Sequence, residues 1–329
     1  MNWDKRRVLI AGGAGMIGSH LAARLVKMGA KVTVIDNLSS GSIQNVSDIR
    51  KHITFFPYDL RDPKVCNTFT KNKDVVFQLA ADMGGIGYIS SVGADIMYNS
   101  SLINLNVVRA CKENNVERMF FSSSACIYPE YKQLCENVTP LKESDAEPAQ
   151  PDQFYGWEKL FTEKLCQAYQ RDYNMNIRIA RFHNVYGDGY TSFDKLKGKA
   201  PCHLIIKALS SDKNFVVWGD GKQTRSFLYI NDCVDAVITL TESAITEPLN
   251  IGTDRLISID DLAKLVIQIS GRSFELIHDL SKPQGVRGRN ADLTKIKAMI
   301  GWAPKVELEE GLKQVYEWAK EHYDMLEGL

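Results

Sequence analysis

Tyr155 and Lys159 stand four apart in Tyr155-Gly156-Trp157-Glu158-Lys159, a spacing that puts a phenol and an ammonium on one face of a helix. An ammonium beside a phenol lowers its pKa, so a tyrosinate can take the proton of a substrate hydroxyl. The spacing alone carries little, because it recurs at Tyr128…Lys132 and Tyr316…Lys320. Pro129 disfavours a helix through the first of these, and the second lies far along the chain from any nucleotide-binding strand. Only Tyr155…Lys159 follows a serine-rich run, Ser122-Ser123-Ser124, at a workable distance. A hydroxyl there, Ser124 above all, can share a hydrogen bond with the tyrosine and the reacting oxygen.

Oxidising a carbon also needs a hydride acceptor, and the N-terminal segment offers a place for one. Gly12, Gly15 and Gly18 form a G-x-x-G-x-x-G turn directly after the apolar run 8–11, and Met16 and Ile17 open a helical stretch. Such a turn lets the backbone approach a pyrophosphate, whose charge the helix N-terminus favours. Asp36 ends the next strand-like run, where a carboxylate accepts hydrogen bonds from a ribose diol and repels the additional phosphate of NADP. NAD is therefore the expected cofactor. Asp59-Leu60 and Leu79-Ala80-Ala81 follow later strands, within reach of the adenine and of the cofactor's underside.

These side chains need a scaffold, and the first half of the chain supplies its rhythm. Strand-like runs at 8–11, 31–35, 53–56, 75–79, 119–122 and 177–181 alternate with helical patterns at 16–28, 62–70, 94–113 and 155–173. Such alternation predicts an α/β fold, a doubly wound parallel (Rossmann) sheet with helices on both faces. After about residue 184 the segments shorten, and helical patterns return at 202–210, 231–241, 259–270, 293–299 and 308–323. We expect residues 1–184 to form the dinucleotide-binding domain, rejoined by about 231–250. Residues 185–329 would mainly form a smaller mixed α/β lobe for substrate.

Composition excludes several classes. The 329 residues carry 40 basic and 40 acidic side chains, so no nucleic-acid or membrane surface is advertised. No run approaches the length that spans a bilayer, and Met1 to Arg7 is polar rather than a leader. Seven cysteines, odd in number and without C-x-x-C spacing, read as reduced thiols of a cytoplasmic protein. Six histidines form no ligand pattern, so no metal is expected.

The order glycine turn, Asp36, Ser124, Tyr155, Lys159 resembles the extended short-chain dehydrogenase/reductase family, and the likeness runs the full length. Arg289-Asn290-Ala291-Asp292, Gly301-Trp302-Ala303-Pro304 and Gly311-Leu312 look like its C-terminal signature, whose arginine contacts a substrate diphosphate. The resemblance implies NAD chemistry on nucleotide sugars, with Ser124, Tyr155 and Lys159 as the catalytic group. A dehydratase of this family would carry an acid beside the catalytic serine, where this chain has Ser124-Ala125-Cys126.

The stretches 80–88, 123–130, 181–187, 199–201, 218–226 and 285–290 resemble the branch of the family that inverts C3 and C5 of GDP-mannose. That likeness implies Cys126 and Lys199 as an acid/base pair flanking the sugar. It also implies Gly84, Ser124, Ala125, Cys126, Asn184, Lys199, Lys207, Gln223, Arg225 and Arg287 as contacts to the GDP-sugar. The lysine-bearing loop 188–198, with Lys195 and Lys197, departs from that branch's glycine-richer pattern. The family commonly pairs through two helices per subunit, here 94–113 and 155–173, as a homodimer. Two readings stay open beside this one: a 4-epimerase, which needs no Cys/Lys pair, and a dinucleotide-sensing regulator without catalysis.

Overall fold

The computed structural model describes residues 1–194, 198–211 and 213–327. Its frame is a seven-stranded parallel sheet: β1 (Arg7–Ala11), β2 (Lys31–Ile35), β3 (Ile53–Phe56), β4 (Val75–Gln78), β5 (Arg118–Ser124), β6 (Ile177–Phe182) and, much later, β11 (Leu249–Ile251). The order across the sheet is β11-β6-β5-β4-β1-β2-β3. The strands are short apolar runs because both faces are covered; all four residues of β4 are buried. On one face α1 (Met16–Lys27) packs beside α7 (Ile230–Glu242), burying Leu21, Leu25 and Val234 against Val8 and Ile10. On the other lie α2 (Pro63–Thr70), α4 (Gly93–Glu113) and α5 (Gln153–Tyr173), burying Cys66, Val107 and Cys166 against Leu9 and Phe121.

The chain order reverses between β1 and β4, the crevice where ligands bind in such sheets. Above it sits the remaining chain. It comprises α3 (Ile86–Ile89), β7 (Val185–Tyr186), α6 (Ala200–Ser210), β8 (Asn214–Trp218), β9 (Thr224–Arg225), β10 (Leu228–Tyr229), β12 (Ile257–Ser258), α8 (Ile259–Ser270), β13 (Glu275–Asp279), β14 (Gly288–Arg289), α9 (Thr294–Ile300), α10 (Leu308–Glu321) and α11 (Tyr323–Glu327). β8 pairs with β13, and β9 lies between β12 and β14.

Three boundaries differ from the sequence reading for definite reasons. β5 runs two residues further, since Ser123 and Ser124 pair in register with Arg181 and Phe182. α6 starts two residues earlier, because Pro201 falls in its first turn, where a missing N–H costs nothing. The last helix breaks at His322, the C-cap of α10, rather than running through it. Lys195 and Lys197 lie outside the described residues. Among the described residues no helix is long and apolar enough to cross a membrane, and no cluster of potential metal ligands occurs.

Candidate active site

A cavity of about 600 Å³ runs along the carboxyl ends of the strands and under the second group of elements. Its first part is the glycine turn. Gly12 holds φ at +77°, and a Cβ there would come within 2.7 Å of the Ala80 backbone nitrogen, so the turn lies hard against the end of β4. Gly15 caps α1, and Gly15, Met16, Ile17 and Gly18 all line the cavity, where the first-turn N–H groups of Met16, Ile17 and Gly18 are free to meet an anion. The buried Asp36 carboxylate accepts from the backbone nitrogens of Ala14 (3.0 Å) and Leu38 (2.9 Å). Burial raises its pKa while those two N–H groups lower it. Asp59 is held by Arg61, which brings its pKa down to about 2, and Leu60, Leu79, Ala80 and Ala81 complete the lining. This cradle fits a dinucleotide: a glycine-rich turn, a helix N-terminus and a carboxylate a strand away.

A first expectation follows from Asp36. Wild-type protein should carry NAD through purification, and Asp36→Ala should lose most of it. Two hydrogen bonds from a diol to a carboxylate contribute about 1.5–3 kcal/mol each. Chromatography of the nucleotide released on denaturation measures the occupancy; an Asp36→Ala protein as fully loaded as wild type would refute the assignment.

Further along, β5, the turn after it and α5 bring the reactive side chains together. Ser124, Cys126, Tyr155, Lys159 and Lys199 all face the one cavity. Ser124 stands near enough to the Tyr155 hydroxyl to favour its ionised form, and its Oγ accepts from the Cys126 N–H at 3.1 Å. Beneath them, Arg181 and Glu163 form a buried pair at 2.8 Å, and Glu163 also takes the Ser123 hydroxyl. On α5 Gly156 has no room for any side chain, since a Cβ would lie 2.1 Å from the carbonyl oxygen of Cys126. Helix and turn therefore touch main chain to main chain.

The electrostatics correct one expectation. Lys159 does not lower the Tyr155 phenol here: burial, then Cys126 and Glu158, push it well above its ordinary value, against the Ser124 hydrogen bond. The reason is geometric. Lys159 Nζ donates to the Ser122 carbonyl at 3.0 Å and stands 5.7 Å from the centre of the tyrosine ring. Burial also pushes the Lys159 and Lys199 amines down.

The residues expected to meet a sugar and its nucleotide have different surroundings. Gly84, Ala125, Asn184, Lys207, Gln223 and Arg225 line the cavity. Arg225 donates to the carbonyls of Thr224 and Gln284 and has no carboxylate partner among the described residues, so its charge is free for a diphosphate. Gln223 donates to the Trp218 carbonyl while its buried Oε1 lacks a partner. Lys207 donates to the Val216 carbonyl at 2.6 Å, close by the Trp218 ring.

Arg287 stands at the edge of the cavity, one residue beyond Val286 of its lining. Its guanidinium is paired to Asp220 and Glu136. Arg289, two residues on, is buried in the cavity wall, where it donates to Cys126 Sγ at 3.3 Å, to Gln133 and to Asp152. Asp152, which the sequence analysis did not single out, also lines the cavity.

A sequence model described as the NAD dependent epimerase/dehydratase family matches residues 8–252. The chain is similar to GDP-mannose 3,5-epimerase 1 of Oryza sativa subsp. indica, with 45% identity over 98% of this chain and 83% of that protein. GDP-mannose 3,5-epimerase of Arabidopsis thaliana is 43% identical over 98% of this chain and 84% of its own length. Among solved structures, UDP-glucose 4-epimerase from Thermotoga maritima with UDP-glucose superposes with a TM-score of 0.87 at 28% identity, covering 96% of this chain and 99% of that one. UDP-glucuronic acid 4-epimerase from Bacillus cereus, in complex with UDP-glucuronic acid and NAD, gives 0.83 at 26% identity over 96% and 100%.

Proposed function

This chain belongs to the NAD-dependent epimerase/dehydratase family, and on that premise we propose that it converts GDP-mannose to GDP-L-galactose by inverting C3 and C5. It is an isomerase, an epimerase of nucleotide sugars with NAD as cofactor. The observation that carries the finer reading is Cys126 and Lys199 facing one cavity with Tyr155.

Bound NAD, held by Gly12, Gly15, Gly18, Asp36 and Lys159, supplies a hydride acceptor and donor for C4. The positive charge of bound NAD would join that of Lys159 in favouring the tyrosinate, and Tyr155 then takes the proton of the C4 hydroxyl, with Ser124 sharing that oxygen. A ketone at C4 acidifies the hydrogens of both C3 and C5, because either carbanion delocalises onto the carbonyl. Inversion then needs proton exchange on two faces of the ring, which Cys126 and Lys199 provide. Arg225, Arg287, Lys207, Gln223, Asn184 and Gly84 hold the sugar and its GDP. The guanidinium fork suits a diphosphate. Tyr155 finally returns its proton to the C4 oxygen, and no net redox change remains.

In this reading residues 1–184 and about 231–250 bind the dinucleotide, and the rest of 185–329 binds the GDP-sugar. The pairing of β11 with β6 supports the return of the later segment. A cytoplasmic homodimer fits as well. Tyr98, Leu105, Phe154, Trp157, Phe161 and Tyr173 on α4 and α5 are all exposed, an apolar surface that a second copy would cover.

The deciding experiment is incubation with GDP-mannose, without added NAD, and identification of the sugars by NMR. GDP-L-galactose is expected. A product inverted at C4 alone would assign the chain to the 4-epimerases, and no product from any nucleotide sugar would favour a regulator.

A further inference from the structure

Asp152 is a carboxylate in the wrong place for its local job. It is the N-cap residue of α5, where an aspartate normally accepts a hydrogen bond from the first turn, yet its side chain makes no capping bond. Gln153, the next residue, holds φ at +56°, a conformation that non-glycine residues rarely adopt and that marks sites held by their surroundings. The carboxylate instead turns into the cavity wall. One oxygen pairs with Arg289, and the other, buried, has no hydrogen-bond partner among the described residues. Arg289 in turn donates to Cys126 Sγ at 3.3 Å. Carboxylate, guanidinium and sulfur thus form one chain of contacts, and the proposed reaction uses only the last.

We propose that Asp152, acting through Arg289, is a positioning residue that sets the charge on Cys126, cancelling the guanidinium so that the sulfur keeps its proton in the resting enzyme. A guanidinium 3.3 Å from a sulfur, left uncompensated, would draw out the thiolate. A carboxylate bound to that guanidinium removes most of its net charge while leaving its N–H aimed at the sulfur. The other charged or titratable groups around Cys126 are Tyr155 on α5, Lys199 at the start of α6 and Arg225 on β9. Burial and then Asp152 raise the thiol, against Arg289 and the Ser124 hydrogen bond. A Cys126 that keeps its proton, sharing the cavity with a Lys199 amine whose hold on its own proton burial weakens, equips the pair for proton exchange at an inverting carbon.

The inference rests on the proposed role of Cys126, but its test reads the resting enzyme and needs no sugar. Full-length holoenzyme carrying Cys135→Ser, to remove the exposed thiol, is treated with iodoacetamide across the neutral to alkaline range. Alkylation of the Cys126 peptide is followed by mass spectrometry. Asp152→Asn, which keeps the shape and removes the charge, should move the profile to lower pH. A neighbouring charge shifts a pKa by about 1–3 units, so alkylation at neutral pH should rise roughly tenfold or more. Asp152→Glu should retain the wild-type profile, and Arg289→Met should move it to higher pH. Should Asp152→Asn not fold, judged by its thermal midpoint and bound NAD, Asp152→Ser takes its place with the same expected shift. A profile for the neutral variant that overlays wild type, or moves to higher pH, overturns the proposal. A protein with the expected profiles but no action on GDP-mannose would sink only the substrate reading.

Discussion

Tyr155→Phe is expected to abolish turnover of GDP-mannose to every product, by roughly a thousandfold or more. Positioned acid–base groups contribute about 10²–10⁴-fold, and here the loss strikes the step on which all later ones depend. Without a base for the C4 hydroxyl no ketone forms, so neither C3 nor C5 becomes acidic. The variant leaves the fold alone, because Tyr155 is buried as a ring against Ile89 and Ile96 while only its hydroxyl serves Ser124. Bound NAD and the thermal midpoint should therefore match wild type while product disappears. Lys159→Met should be nearly as severe and should also loosen the cofactor. Wild-type-like activity in Tyr155→Phe would mean that the tyrosine was wrongly chosen. The other two spacings offer poor substitutes: Tyr128 is buried against Asn250, and Tyr316 is packed within α10.

Cys126→Ala separates oxidation from inversion. In heavy water the wild-type enzyme should place solvent deuterium at C3 and C5 of the sugar and none at C4, whose own hydrogen never mixes with solvent. Cys126→Ala and Lys199→Ala should each keep C4 oxidation, visible as the near-ultraviolet absorbance of reduced cofactor, while inverted product falls by about 10²–10⁴-fold. Cys126→Ser should also be poor, since a serine hydroxyl gives up its proton far less readily than a thiol. Unchanged product and undiminished deuterium uptake in Cys126→Ala would reduce Cys126 to a packing residue. A 4-epimerase would then be the better description, recognisable by inversion at C4 without label.

What the sequence reveals is what is local along the chain. Apolar runs flanked by turns gave the six strands of the first half within a residue or two, since a strand buried on both faces has little choice of composition. The glycine turn, Asp36 and the Tyr155–Lys159 spacing each state their geometry within a few residues. The two-residue strands around the cavity were not visible, because β9 and β14 exist only through pairing with segments far away. Nor does the sequence show the partners of Arg287 in the protein alone: Asp220 and Glu136 lie 67 and 151 residues away. The acidity of Tyr155 in the protein alone is likewise not written in the spacing. Its lysine is where the spacing puts it, but burial and the Ser122 carbonyl, both tertiary facts, decide the outcome.

The contact between Gly156 and the Cys126 carbonyl has a mechanical consequence. The tyrosine that opens the reaction sits one residue from that glycine, and the cysteine proposed to act on the ring is the residue touched. Their separation is thus gauged by polypeptide backbone, which yields far less than a rotating side chain. A chassis of this kind leaves few adjustable parts. Descendants of such an enzyme can change which carbon they act on by exchanging the groups bolted to the frame, or by reseating the sugar within it, but not by sliding one tool past the other. Widening the gap would begin with a residue larger than glycine at position 156, and its cost would fall on oxidation and inversion together.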